Sequence, residues 1–370
     1  MKLKTIIVGS FLAKEKNIFG GVARSCETMM ESSFASRFSV VAVDSTQISN
    51  PPPGLIVRTI LAFRRLIIFT SKLIWHRPDA VLLFTSVGLS FVEKCVMAWV
   101  GRILFCPVLI FPRGGELIKQ ATGSKIRLML AKTLLKGSNV FLAQGLKWRD
   151  FAVNDMGFDE SKVYVIPNWT ATDLQLDIGQ RREYKQHKNK LKILFVGWLE
   201  EFKGVFELLT VCKMLSDKGV DFELTLAGRG HAEKDAKEFV KNNNLESIVI
   251  FAGWVKGESL DELYASNDIF VLPSWEEGMP NAMIEAMAAG LAVIVTTVGM
   301  IPDFLEDGQN AILIPPRDVG SLERAMKKVI YDKKRRIKLA QNGYKLAKKE
   351  FAVESAMEKL GNIIESTVSG

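Results

Sequence analysis

The sequence predicts an α/β protein of two doubly wound, Rossmann-like domains in tandem, facing a central cleft. Three observations predict it. Short β-branched runs alternate with helical stretches along all 370 residues. The runs are nearly continuous apolar segments, such as Ala80-Val81-Leu82-Leu83-Phe84, which marks strands buried on both faces of a parallel sheet. One polar stretch, Gly179 to Leu191, interrupts the alternation, which then restarts. The length agrees, because single cores stop growing at roughly 250–300 residues.

In the first half the expected strands are 4–10, 38–44, 80–86, 107–112, 139–144 and 163–168. Helical patterns lie between them near 20–34, 55–77, 88–102, 124–136 and 146–155. In the second half the expected strands are 192–197, 221–227, 247–252, 268–273, 292–297 and 311–314, and the chain ends in helices. This gives an N-terminal domain over 1–178, a linker over 179–191 and a second domain over 192–350. A C-terminal helix over 351–370 is expected to pack back on the first domain.

Hydrophobic residues at 48% and charged residues at 24% exclude wholesale disorder. The net charge of +8 favours anionic partners. Cys26, Cys95, Cys106 and Cys212 form no CxxC pair, which argues for a reducing, cytoplasmic setting and against a zinc site. His76, His187 and His231 are scattered without metal spacing, so no metal is expected. The opening run Thr5-Ile6-Ile7-Val8 reads as a first strand rather than a signal peptide, since lysines follow without a cleavage site. The most apolar region, 87–112, is interrupted by Glu93, Lys94 and Arg102. A spanning helix needs about 20 mostly apolar residues, so none is expected.

Ligands of doubly wound sheets bind beyond the carboxyl ends of the strands, so chemistry is sought in those loops. After strand 192–197 stands Lys203, just ahead of a helix, where the helix dipole disfavours a cation unless an anion is also present. After strand 268–273 come Glu277, Gly278, Met279 and Pro280, then a helix carrying Glu285 among apolar neighbours. Gly278 permits close backbone approach, and a helix start suits a diphosphate. The two carboxylates suit paired sugar hydroxyls on either side of it. In the first half, Gly20-Gly21 opens a helix, and Arg113 follows strand 107–112. The GxGxxG pattern of dinucleotide dehydrogenases is missing.

Residues 55–77 carry Arg58, Arg64, Arg65, Lys72 and Arg77 among Phe63, Ile67, Ile68, Phe69 and Trp75, with no acidic residue. Such a helix is expected to lie on an anionic bilayer surface, with Arg58, Arg64, Arg65, Lys72, Trp75 and Arg77 as contacts. The same composition also fits a crossover helix packed on the sheet with a basic outer face.

From Lys192 to Asp318 the chain resembles the retaining glycosyltransferases of family 4 (glycosyl transferases group 1), which have the GT-B fold. The resemblance rests on Glu277 to Glu285, a glutamate, seven residues, then a glutamate. Around it stand Phe195-Val196-Gly197, Lys203-Gly204, Leu226-Ala227-Gly228-Arg229-Gly230, Phe251-Ala252-Gly253-Trp254-Val255 and Glu306-Asp307-Gly308. It implies that Lys203 holds the donor diphosphate, Glu277 contacts the transferred sugar and Glu285 the ribose. It also implies that Gly253 to Val255 lie by the base, and that Gly20-Gly21 approach the diphosphate. Members often carry arginine at the position of Trp198 and histidine in the loop of Arg113, so Arg229 and Arg113 are candidate replacements.

The expected activity is transfer of a hexose or N-acetylhexosamine from a nucleotide diphosphate sugar, with the anomeric configuration retained as the resemblance implies. Met279-Pro280-Asn281 resembles the family members that use UDP-sugars more than those that use GDP-mannose. The acceptor is a saccharide, lipid-linked, in surface polysaccharide assembly at the inner face of the membrane. The nucleotide sugar is substrate, and no cofactor is expected. A nucleotide-sugar epimerase or hydrolase on the same fold is the alternative. A nucleic-acid binder is disfavoured, because the basic residues do not alternate with stacking aromatics.

Overall fold

The computed structural model describes residues 2–11, 21–49, 53–113, 116–184 and 190–369, the side chain of Glu116 excepted. Contacts divide the chain into two units, Met1–Thr170 with Val353–Gly370, and Ala171–Ala352.

The first unit is built on six parallel strands, β1 (Lys4–Gly9), β2 (Ser39–Asp44), β3 (Ala80–Thr85), β4 (Val108–Pro112), β5 (Val140–Ala143) and β6 (Val163–Val165). Their order is β2-β1-β3-β4-β5-β6. Every residue of β3, β4 and β5 is buried, as continuous apolar runs require. The helices are α1 (Gly21–Glu31), α2 (Ser33–Arg37), α3 (Leu55–His76), α4 (Leu89–Ile103), α5 (Glu116–Thr122), α6 (Lys125–Leu135) and α7 (Leu146–Asp150). Right-handed crossovers place α1 and α2 on one face of the sheet and α3, α4 and α6 on the other. There α3 packs on α4, and α4 on α6.

The second unit begins with a helix the sequence did not announce, α8 (Asp173–Arg181). Its strands are β7 (Leu191–Val196), β8 (Phe222–Ala227), β9 (Val249–Gly253), β10 (Ile269–Leu272), β11 (Ala292–Thr296) and β12 (Ile312–Ile314). They run in parallel in the order β12-β11-β10-β7-β8-β9. The helices are α9 (Val205–Ser216), α10 (Glu233–Asn242), α11 (Glu258–Ser266), α12 (Asn281–Ala288), α13 (Ile301–Phe304), α14 (Val319–Tyr331) and α15 (Lys333–Leu346). The two sheets therefore differ. The first reverses between β1 and β3, as in flavodoxin-like sheets, and the second between β7 and β10, as in dinucleotide-binding ones.

A last helix, α16 (Val353–Ser369), belongs to the first unit. Met357, Leu360 and Ile364 join its core with Ile7, Leu82, Phe111 and Trp169. Arg37 on α2 clasps it, with Nε 2.8 Å from Glu365 and Nη2 2.7 Å from Asn362. The chain enters and leaves the second unit side by side, for Ala171 pairs in parallel with Ala352 and donates to the Phe351 carbonyl at 3.2 Å.

The boundary lies at Thr170/Ala171 rather than in the expected linker over 179–191, whose residues 185–189 fall outside the described residues. Polar and backbone contacts, not an apolar stripe, tie α8 to the second unit. Thr172 and Gln175 close a reciprocal capping box at its start. Gly179 lies so near the Ala288 carbonyl of α12 that a Cβ would overlap it. Arg182 donates to the carbonyls of Ala289, Asn267 and Tyr264, capping two helix ends with one guanidinium. Arg182→Ala strands those buried carbonyls and should lower the unfolding free energy by about 2–3 kcal/mol in urea titration. Arg182→Lys should recover little of it, because a point-charge ammonium cannot reproduce the planar fork.

Candidate active site in the second unit

The reversal between β7 and β10 leaves a crevice beyond their carboxyl ends, and the loops that follow these two strands meet there. After β7 the chain runs through Gly197-Trp198-Leu199-Glu200 into one tight turn, Glu201–Lys203. Gly204 then takes a positive φ of 73° and starts α9. A Cβ on Gly204 would overlap the Pro273 carbonyl, so the two loops are in backbone contact. Trp275 N–H donates to the Phe202 carbonyl at 2.7 Å and locks that crossing.

The crossing brings Lys203 and Glu277 together, with Nζ and Oε1 2.7 Å apart. Their side chains are 16% and 9% exposed, so solvent screens the pair only weakly. The Ser274 hydroxyl donates to the same Glu277 oxygen at 2.8 Å, while the Ser274 carbonyl accepts from Thr296 at 2.6 Å. Glu277 is thus held from three strand ends. The loop after β11 supports it from beneath. Gly299, at φ 60°, leaves no room for a Cβ against the carbonyls of Glu277 and Gly278, and Met300 N–H donates to Gly278 at 2.9 Å.

Met279 is buried on this loop, and Pro280 occupies the N-cap of α12. Proline offers no side-chain acceptor there. On the second turn Glu285 is buried and accepts from the Tyr264 hydroxyl of α11 at 2.9 Å. This bond gives a burial that is otherwise unfavourable for a carboxylate its local partner.

The loops after β7, β8 and β9 are layered edge on edge. Gly197 N–H donates to Ala227, Leu199 N–H to Arg229, and Gly228 N–H to Gly253, at 3.0, 2.9 and 2.7 Å. Side chains at Gly228 and Gly230 would overlap the carbonyls of Gly197 and Leu199. The layering sets Trp198 against Trp254, with ring centroids 4.9 Å apart and planes tilted by 40°, next to Val255. Arg229 stays exposed on the β8 loop. Glu200 accepts from the His231 backbone at 3.1 Å and meets its ring at 2.8 Å.

The structure therefore brings Lys203 and Glu277 into contact at the β7–β10 reversal, with Gly278 and Met279 on the same loop and Glu285 buried on the second turn of α12. Gly197, Trp198, Gly228, Arg229 and Val255 lie on the adjoining loops. Ser274 and Trp275 were given no role from the sequence, and neither was Arg317, which sits 4.0 Å above the Trp275 ring. Arg317 carries a left-handed φ of 59°, and nothing in its sequence neighbourhood announces it.

The remaining candidates belong to the first unit. Gly20 lies outside the described residues, and Gly21 opens α1. Arg113 is wedged 4.8 and 4.7 Å from the rings of Phe111 and Trp169, and Nη2 donates to the Ser25 hydroxyl. Burial pushes its pKa down to about 9. Of the membrane-contact candidates, Arg64, Trp75 and Arg77 are exposed and Arg58 is half-buried. Arg65 and Lys72 turn inward instead. Arg65 grips buried Glu93 through two bonds of 2.6 and 3.0 Å, and Lys72 donates to the Ala42 carbonyl at 2.7 Å. A helix resting on a sheet must bury one face, and these two long side chains lie on it with their charges satisfied inside.

Comparisons with known proteins agree with this layout. The family described as glycosyl transferases group 1 matches residues 178–346. An uncharacterized 41.2 kDa protein in the cps region of Klebsiella pneumoniae is 26% identical over 205 residues, 55% of each chain. The amylovoran biosynthesis glycosyltransferase AmsK of Erwinia amylovora is 34% identical over 138 residues, 36% of this chain and 34% of that one. The chain thus spans about half the length of the first relative and a third of the second. Among solved structures, sucrose-phosphate synthase from Thermosynechococcus elongatus superposes with a TM-score of 0.74 at 18% identity, over the whole of both chains. Anabaena HepE in complex with UDP and glucose gives a TM-score of 0.67 at 16% identity, over 98% of this chain and 100% of that one. Two six-stranded parallel sheets of this kind are the GT-B architecture, and residues 178–346 match the model of the glycosyl transferases group 1 family.

Proposed function

We propose that the protein is a retaining glycosyltransferase that moves a hexose or N-acetylhexosamine from a UDP-sugar to a saccharide acceptor in polysaccharide assembly. The observation that carries this reading is the half-buried Lys203–Glu277 pair of 2.7 Å at the β7–β10 reversal. A lysine ammonium has three protons, and the bond to Glu277 uses one. The others are available to the diphosphate of a donor. As the bond from the anomeric carbon to the phosphate oxygen lengthens, negative charge grows on the leaving diphosphate, and the preset ammonium stabilises it. Glu277, fixed by Lys203 and Ser274, presents an oriented acceptor to the sugar's hydroxyls. The acceptor hydroxyl attacks the same face and passes its proton to the departing phosphate oxygen, which retains the anomeric configuration.

UDP as the nucleotude carrier is supported by HepE, solved with UDP-glucose. The polysaccharide context is supported by AmsK, named for amylovoran biosynthesis. In this reading the Trp198–Trp254 pair offers an aromatic surface to the base, and Glu285 the ribose contact. The acceptor is lipid-linked and is met by a protein attached peripherally at the cytoplasmic face of a membrane.

Lys203→Ala and Glu277→Ala should each lower kcat by about 10²–10³-fold, the usual loss of one preset charge contact, measured as nucleoside diphosphate released with acceptor present. Rates near the unmodified protein's in both variants would remove the assignment. Without acceptor, free sugar and nucleoside diphosphate formed at full rate would indicate the hydrolase alternative, and an isomerised sugar the epimerase. In a melting panel, a UDP-sugar at a hundredfold excess over its Kd should stabilise the protein by about 2.7 kcal/mol. That shift should shrink in Trp254→Ala, and a larger shift with a GDP- or ADP-sugar would reassign the base.

A further inference from the structure

The outer face of the first unit's three-helix layer is apolar where a water-facing surface should be polar. On α3, Ile56, Ile60, Phe63, Ile67 and Ile74 recur at helical spacing, and all are exposed. On α4, Val92, Val96 and Ile103 repeat the pattern, and on α6 so do Ile126, Met129 and Leu130. Each stripe lies opposite that helix's buried face. Contiguous apolar surface of this extent marks an interaction site.

The turn after α4 adds an independent sign. Cys106 N–H donates to Gly101 and Phe105 N–H to Arg102, at 3.0 and 3.1 Å, closing the paired-bond helix stop that glycine usually completes. Here Phe105 holds the left-handed position, at φ 56°, and is 96% exposed. A bulky aromatic in a left-handed turn is strained, and nothing in its own unit covers it. Trp75, 86% exposed at the end of α3, is displayed in the same way.

The charges of the layer select the occupant. Neither α3 nor α6 contains an acidic residue, and α4 contains only Glu93. Glu93 is buried between Arg65 and Lys94 and adds nothing to the surface. The exposed charges are Arg64, Arg102, Lys125, Arg127, Lys132 and Lys136, all basic. A second copy docked on this face would oppose cation to cation. An anionic lipid surface matches both the apolar stripes and their cationic rim. No helix among the described residues is long and apolar enough to cross a membrane, so the layer lies on the bilayer rather than through it.

We propose that the α3–α4–α6 face is seated in the headgroup region of an anionic bilayer, with Ile60, Phe63, Ile67 and Phe105 inserted among the acyl chains. The proposal rests on the membrane-borne acceptor inferred above. It changes the nature of the attachment from a charge contact through residues 55–77 to apolar insertion across three helices, oriented by the basic rim. Insertion carries much of the binding, so salt weakens it without abolishing it.

The test sediments the whole chain with vesicles of phosphatidylcholine alone and of an equimolar phosphatidylcholine–phosphatidylglycerol mixture, at low and high salt. The expected result is pelleting with the mixed vesicles, retained in part at high salt. Ile60→Asp and Phe63→Asp should each lower the partition coefficient by at least about tenfold, from the loss of one buried side chain. Arg64→Glu should remove only salt-sensitive binding. The nucleotide-sugar-induced melting shift should persist in the Asp variants, which shows that they are folded. Recovery in the supernatant with both vesicle types overturns the proposal. So does binding that salt abolishes and the Asp variants leave unchanged. A lipid-free dimer that Ile60→Asp dissociates would overturn it by assigning the face to a second copy. Vesicle binding by a native chain that shows no donor-induced shift would overturn the transfer reading alone.

Discussion

The site in the second unit depends on one close crossing, where Gly204 passes against the carbonyl of Pro273. No residue with a side chain fits there, and the positive φ at Gly204 turns the chain into α9 immediately after Lys203. The lysine therefore has little backbone freedom relative to the loop that carries Glu277. A cation ahead of a helix N-terminus is disfavoured by the helix dipole, and the Glu277 carboxylate offsets that. Ser274, Thr296 and Gly299 extend the same constraint across β10 and β11. The pair is consequently a fixed element of the sheet's end rather than two loop side chains that happen to meet.

Much of this was legible in the sequence, for identifiable reasons. Continuous apolar runs located the strands, most plainly β3, β4, β5, β10 and β11, where burial on both faces leaves no alternation to misread. Lys203 was singled out because it breaks a local rule at a strand's carboxyl end, and Glu285 because it is a carboxylate among apolar neighbours; such breaks gather at functional sites. The features that stayed hidden rest on backbone contacts or on the choice of a helix face. The helix α8 is tied down by a capping box, a glycine contact and Arg182, none of which produces an apolar period. Arg317 reaches Trp275 through a left-handed backbone that its sequence does not mark. On α3, apolar residues occur all round the helix, so the sequence could not tell that Arg65 and Lys72 point in while Ile56, Ile60 and Phe63 point out.

Within each unit, arginine makes contacts that lysine would not. Arg182 gathers carbonyls from two helix ends, Arg37 spans α2 and α16, and Arg65 grips Glu93 with a two-pronged contact. In each case a planar, weakly hydrated fork satisfies several acceptors at once with limited desolvation. Arg113 uses the other property of the same group, lying against aromatic rings while donating to Ser25.

The return of α16 to the first unit bears on how the chain is made. A ribosome delivers β1 to β6 first, yet their core is completed by Met357, Leu360 and Ile364, which emerge only after the second unit has been synthesised in full. Until then Ile7, Leu82 and Trp169 lack part of their cover. The second unit is continuous, and its two ends are joined by the Ala171–Ala352 pairing, so it can close on itself while the first still waits. The part made second is therefore the part able to finish first. The unfinished sheet, with its apolar surface open, is the interval in which a chaperone has most to protect.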